Sequence, residues 1–330
     1  MNGLVSVRLN NQKLSSSKLR RAVDVVRWFG AVQAQDFNAA KWALALRMRK
    51  ATEGAVEEAF NKGEILRTHV MRPTWHFVTP EDIRWLLQLT AARVNQKCGP
   101  NYRKFELDAA VFKRSNKIFM KALRDGKHLT RPVLKSILNA DGIDVTDPVR
   151  LAHILLRAEL DGLICSGPRT GKQFTYALLE ERVPATKPLE HDEALAELAR
   201  RYFRSHGPAK LQDFVWWSGL TVEDAKRGIA QVGAPRSTGT KQSSAHLLPA
   251  FDEYFVAYKD RQMTAGSLST WDVLGPTLII DGIAAGTWKR ANSGTIELNS
   301  SRILKTSEKL AFKEAADRYS AYLGDISRRR

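Results

Sequence analysis

The chain has 330 residues, room for two or three ordinary domains, and its 43% apolar fraction is enough to bury real cores. Lys and Arg number 52 against 35 Asp and Glu, a formal charge of +17 that no fold requires and that suits a polyanionic partner. No run approaches the roughly 20 apolar residues of a spanning helix, residues 1–10 lack a signal-peptide core, and Cys98 and Cys165 stand far apart. The expectation is therefore a cytoplasmic, nucleoid-associated protein with free thiols, no membrane association, no disulfide framework, no structural zinc and no cofactor.

In chain order, Ser15 and Ser17 are placed to cap a helix with Leu19, Val23, Val26 and Phe29 on one stripe, stopped by Gly30. Residues 31–37 form a short connection. A second helix covers about residues 39–49, and Thr52-Glu53 opens a third with an acid in its first turn. After Gly63, residues 65–71 and 74–78 read as strands broken at Pro73. Three helices followed by a β-hairpin is the winged-helix order, here over residues 1–80.

Residues 81–112 read as a helical connection. The same order then returns over residues 113–184, where Thr146-Asp147-Pro148 carries strong helix-start signals and 163–179 reads as a hairpin. Its tip, Gly167-Pro168-Arg169-Thr170-Gly171-Lys172, makes a basic wing. A third copy, 188–250, ends in a basic loop around residues 233–244 and a strand-like 246–251. The remaining 251–330 form a β-rich segment, with a type I′ hairpin signal at Asp281-Gly282 and a strand near 295–298, then an amphipathic helix over 307–323 and a basic tail at 328–330. The expected fold class is α+β, mainly α: three tandem winged-helix units, then the β-rich segment and terminal helix. The copies share element order rather than sequence.

Candidate chemistry begins at Val32-Gln33-Ala34-Gln35-Asp36. Two glutamines flank one small residue between two helices, so their amides could converge on one point. An amide does not titrate usefully, yet it offers an acceptor and two donors with which to hold a water. An ordinary polar loop explains the same letters, and Asp36 fits a helix N-cap. Next, Arg67, His69 and Arg72, with Thr74 and His76, surround the first hairpin; they fit either a phosphate and base-edge reader or a solvated strand face with one core histidine. Arg169 and Lys172 on the second wing, Lys289 and Arg290 near the end of a late strand, and the basic loop 236–241 are further phosphate candidates. Asp252-Glu253-Tyr254 and Lys259-Asp260-Arg261 concentrate charge beside aromatics, as acid/base chemistry or as ion pairs locking a turn. Trp216-Trp217 reads as core. No glycine-rich phosphate loop, metal spacing or Ser/His/Asp arrangement is visible.

Taken together, Ala31-Val32-Gln33-Ala34-Gln35-Asp36 and Arg67-Thr68-His69-Val70-Met71-Arg72-Pro73-Thr74-Trp75-His76 resemble the AlkZ/YcaQ-type bacterial DNA glycosylases. Asp213-Phe214-Val215-Trp216-Trp217-Ser218-Gly219-Leu220, Phe251-Asp252-Glu253-Tyr254 and Asp281-Gly282-Ile283-Ala284-Ala285-Gly286-Thr287-Trp288-Lys289-Arg290 extend the resemblance to nearly the whole chain. It implies three tandem winged helices forming a concave surface for double-stranded DNA bearing alkylated purines. It makes Gln33 and Gln35 the catalytic pair, in the Gln-aliphatic-Gln branch that includes a crosslink-unhooking enzyme. Phe37-Asn38 departs from the proline expected after Asp36. An N7-alkylated purine leaves as a neutral base, so the resemblance implies a monofunctional hydrolase that positions water beside an oxocarbenium-like sugar. A monomer is expected, because three units already embrace a duplex. The alternative is a non-catalytic winged-helix regulator, which would be dimeric on a palindrome.

Overall fold

A computed structural model describes residues 3–15, 17–233 and 244–324. The loop 236–241 and the tail 328–330 lie outside the described residues. The chain opens with α1 (Gly3–Asn11), a helix the sequence reading did not anticipate, followed by α2 (Ala22–Phe29). Ser17 does not cap α2: its hydroxyl donates to the Arg47 carbonyl at 2.5 Å and accepts from Leu19 N–H, and the helix starts only at Ala22. The connection expected after Gly30 contains a two-residue strand, β1 (Val32–Gln33). Next come α3 (Phe37–Leu46), α4 (Glu53–Asn61), β2 (Leu66–His69), β3 (Trp75–Val78) and the long α5 (Pro80–Lys104). Local signals set several starts as expected. Asp36 accepts from Ala39 N–H at 3.0 Å at the head of α3, and Thr52 accepts from Ala55 N–H at 3.2 Å at the head of α4.

The second unit is α6 (Ala109–Leu123), β4 (Leu129–Thr130), α7 (Arg131–Ala140), α8 (Pro148–Leu160), β5 (Ile164–Ser166), β6 (Thr175–Leu178) and α9 (Leu179–Arg182). The first two units share more than element order. Their sheets run β1-β3-β2 and β4-β6-β5, so in each the short strand after the first helix pairs with the last strand of the hairpin.

The third helical trio is α10 (His191–His206), α11 (Leu211–Ser218) and α12 (Val222–Ala230), followed by β7 (Ala245–Leu248). Here the pattern departs. Among the described residues no strand separates α10 from α11, and β7 pairs with β8 (Thr277–Ile280) rather than with an adjacent hairpin partner. Between them lie α13 (Glu253–Val256), α14 (Gln262–Ala265) and a 3₁₀ turn, Asp272–Leu274. The sheet continues through β9 (Ile283–Arg290) and β10 (Ile296–Ser300) in the order β10-β9-β8-β7, and α15 (Thr306–Tyr322) closes the fold. One sheet thus crosses the boundary drawn at residue 250. The β8–β9 turn has Asp281 at φ 51° and Gly282 at φ 79°, the two positive dihedrals that a type I′ turn needs.

Three cores hold these parts. One buries α2, β1, α3, α4 and β3 around Phe29, Phe37 and Phe77. The second joins α5, the second unit and the helices of the third. In the third, Val5 and Leu9 of α1 and Trp42 of α3 pack with Leu247, Tyr254 and Leu278, so the C-terminal sheet is built onto the first unit. That packing places α13 directly behind β1.

Candidate active site

Gln33 ends β1, opposite His76 on β3, and is only 7% exposed. Its backbone N–H donates to Glu253 Oε1 at 2.7 Å, and its side-chain Oε1 accepts from Arg72 Nη2 at 2.7 Å. Glu253 itself is buried. Its other oxygen accepts from Trp217 Nε1 at 2.9 Å and meets His206 Nε2 at 3.2 Å. Burial alone would raise this carboxyl, but the His206 contact and the Gln33 N–H hold it below the usual carboxylate range. Glu253 is therefore an anion fixed on N–H donors, not a free base. Its neighbour Asp252 receives Arg47 at both oxygens, 2.8 Å each, in the interior, and caps α13 through Tyr254 N–H. Of the two readings of Asp252-Glu253, the structural lock is the one these contacts describe. Asp252 ties α13 to α3, and Glu253 ties it to β1.

Gln35 lies at the solvent edge, with Oε1 accepting from Trp75 N–H at 3.3 Å. Arg67 braces the loop between the glutamines: Nε donates to Ala34 O at 2.9 Å and Nη2 to Gln35 O at 3.2 Å, while its guanidinium lies over Trp75. Arg67 is thus spent on the loop backbone. His69, expected as a DNA contact, is buried against Glu159, and its ring packs at a 40° tilt on Trp75. The strand expected over 65–71 is shorter: β2 ends at His69, and Met71 turns at φ 61°. His76, the other expected histidine contact, is fully buried. Its Nδ1 faces Thr74 O at 2.9 Å and its Nε2 faces Arg72 at 3.4 Å. Burial, then the Arg72 charge, pushes its pKa down to about 3, so it is a neutral imidazole supporting the turn. Neither ring presents an edge that a duplex could reach in this conformation.

Beside Gln33 opens a cavity of about 650 Å³. Arg72, Pro73 and Thr74 enter it from the first hairpin, Arg93 and Lys97 from α5, and Lys259 and Arg261 from the segment after α13. Val215, Trp216 and Val222 form an apolar wall. Trp217 is core as expected, but Trp216 is 41% exposed, with Nε1 donating to Val256 O at 3.0 Å and its ring 5.6 Å from the Arg261 guanidinium. The sequence carries two signals for this cavity: Arg93 and Lys97 stand four apart on one helix face, and Lys259 and Arg261 belong to the charge cluster that follows α13.

The other expected phosphate contacts lie elsewhere. Arg169 pairs with Glu57 at 2.8 Å and packs on Phe37 and Phe174, docking the second wing onto α4; Lys172 beside it is exposed. Lys289 pairs with Glu297 across β9 and β10 at 3.0 Å, and Arg290 follows it on β9. No cluster of His, Cys, Asp or Glu among the described residues could hold a metal, and no helix among them is long and apolar enough to cross a membrane.

Winged units around a glutamine-bearing strand and a cationic cavity describe a protein that handles DNA, and the comparisons with known proteins give the class. A family model described as DNA glycosylase AlkZ-like matches residues 26–322, and the chain belongs to that family of DNA glycosylases. Among curated proteins it is similar to an interstrand DNA cross-link repair glycosylase of Streptomyces sahachiroi, 24% identical over 322 residues, covering 86% of this chain and 85% of that protein. Among solved structures it is similar to the Streptomyces sahachiroi DNA glycosylase AlkZ, with a TM-score of 0.78 at 21% identity, covering 97% of this chain and 96% of the other. That structural likeness carries the fold.

Proposed function

We propose that this enzyme hydrolyses the N-glycosidic bond of N7-alkylated purines in double-stranded DNA, acting as a monomer with Gln33 and Gln35 positioning the water. The observation that carries the reading is the double fixing of Gln33, by Glu253 at its backbone and by Arg72 at its amide, at the margin of a cavity. A cationic purine leaves as a neutral base, so the barrier lies in the sugar cation and in the placement of water. Fixed amide dipoles address both without a strong base. Each amide oxygen has one acceptor site engaged and one left, and each NH2 adds two donors. The name of the Streptomyces relative extends the reading to interstrand crosslinks as substrates.

One observation favours a second reading. Lys97 enters the same cavity, and burial, then Arg93 and Arg72, lower its pKa, the setting in which a lysine becomes a nucleophile. The two readings separate in one experiment. A duplex containing one N7-methylguanine is incubated with the enzyme, one half treated with alkali and the other with borohydride. Hydrolysis predicts strand breaks only after alkali and no trapped protein–DNA adduct. An adduct lost in Lys97→Gln would establish the lyase reading instead, and no base release from this duplex or from a crosslinked one would remove both.

A further inference from the structure

The cavity beside Gln33 holds an imbalance that the glutamines do not explain. Arg72, Arg93, Lys97, Lys259 and Arg261 all line it, and no Asp or Glu among the described residues does. Three buried polar atoms of its lining have no hydrogen-bond partner: Arg72 Nε, Thr74 Oγ1 and Arg261 Nη2. Arg261 is only 7% exposed; its Nε is given to Phe255 O at 2.9 Å and its guanidinium lies over the Trp216 ring, which leaves Nη2 without a hydrogen-bond partner. Arg72 is arranged alike, with Nη2 on Gln33 and Nε unsatisfied. Leaving such groups dry is costly, and a guanidinium N–H is best satisfied by an anionic oxygen.

The reaction sharpens the problem. Glu253 behind Arg72 and Asp213 near Arg261 offset only part of this charge, so a sugar that develops positive charge next to Gln33 would meet a net excess of cations unless an anion accompanied it into the site. We infer that this cavity binds a phosphodiester of the damaged strand, adjacent to the lesion, on Arg72 and Arg261, with Thr74 as a further donor and Lys97, Arg93 and Lys259 around it. The inference rests on the reading of Gln33 as the reacting centre. The phosphate would satisfy the three orphaned donors and neutralise the field at the sugar. Through Arg72 it would also fix the Gln33 amide relative to the strand. Arg72 is then a positioning residue for Gln33 as well as a phosphate ligand. The apolar wall at Val215, Trp216 and Val222 offers an anion nothing, so it faces the sugar or the adduct rather than the phosphate.

The test reads binding, so it is independent of which lesion is cleaved. Full-length enzyme is titrated onto a duplex carrying a stable abasic analogue, by fluorescence anisotropy over a range of KCl. Lys97 and Lys259 are exposed, so the double variant Lys97→Gln, Lys259→Gln should fold normally, and its log–log salt slope should be shallower by about 1 per cation removed. A walk of single neutral methylphosphonates along both strands should show one or two positions, next to the analogue, that cost the wild type about tenfold and cost Arg261→Gln nothing further. Circular dichroism of Arg261→Gln checks its fold; if it fails, the Lys pair takes its place in the walk. Inorganic phosphate, compared with chloride at equal ionic strength, reports whether the site takes free phosphate instead of strand phosphate. An unchanged salt slope, equal methylphosphonate penalties in wild type and variant at every position, or competition by free phosphate with no position-specific penalty would each overturn the inference.

Discussion

Gln33 is held by strand pairing to His76, by a buried carboxylate at its N–H and by a guanidinium at its amide, so its position is set jointly by the first hairpin and by α13, far apart in the chain. That is why the letters Gln-Ala-Gln alone left a polar loop and a catalytic pair both open: Glu253 is 220 residues away. The histidines follow the same logic. Nothing in Arg67–His76 tells a buried imidazole from an exposed one, because part of what surrounds the rings, Glu159 at His69 and Glu253 near His76, comes from far along the chain. The buried state has a measurable consequence. His76 and His246 are both pushed down to about 3 by burial, below the ordinary value of about 6.5 in an unfolded chain. The unfolded state therefore binds more protons between those limits. Their contribution to stability is complete above pH 6.5 and is lost as pH falls through that window. Thermal unfolding should show a plateau above pH 7 and a Tm that drops steadily below pH 6, with a shallower drop in His246→Gln. A flat Tm from pH 7 to 4 would contradict the assignment of neutral, buried rings.

At the scale of elements, what the sequence announced was local. Asp36, Thr52 and Asp147 cap the helices they precede, and Asp281-Gly282 turns the hairpin it predicts, because each signal acts within four residues. What it hid was non-local. β1 is two residues long and has no alternation to read, and its strand character comes from β3. The role of α1 depends on Leu247, Tyr254 and Leu278. The third unit departs from the repeat because its strand is completed by β8, beyond two helices, and the regular hairpin order of the first two units gave no warning of that. One contact between elements carries a direct prediction. Gly219 ends α11 at φ 71°, and a Cβ there would lie 2.1 Å from Met71 O, in the turn that presents Arg72. Gly219→Ala must push that turn away and with it the hold on Gln33. Base release should fall about 10–100-fold, with a smaller loss of DNA affinity because Arg72 moves with the turn. A variant as fast as wild type would show that the α11 contact does not set the turn.

For the whole molecule, the charge of +17 and the winged units pointed to DNA before any site was visible, and the family match establishes the DNA glycosylase class. The surface is less simply organised than the basic wings suggested. Arg169 and Lys289 are engaged in ion pairs, while the unsatisfied donors converge on a cavity built from the first hairpin, α5 and the segment after α13. Binding and chemistry are therefore predicted to separate by residue: cavity cations govern affinity and its salt dependence, and the glutamines govern the rate. The most direct test is the single-turnover rate of base release from an N7-methylguanine duplex, measured at saturating enzyme for wild type, Gln33→Ala and Gln35→Ala. Loss of Gln33 should slow release by about 100-fold or more, with a lesser slowing for Gln35, while affinity for the abasic-analogue duplex changes by no more than about threefold. A Gln33→Ala enzyme that releases the base at the wild-type rate would contradict the account at its centre.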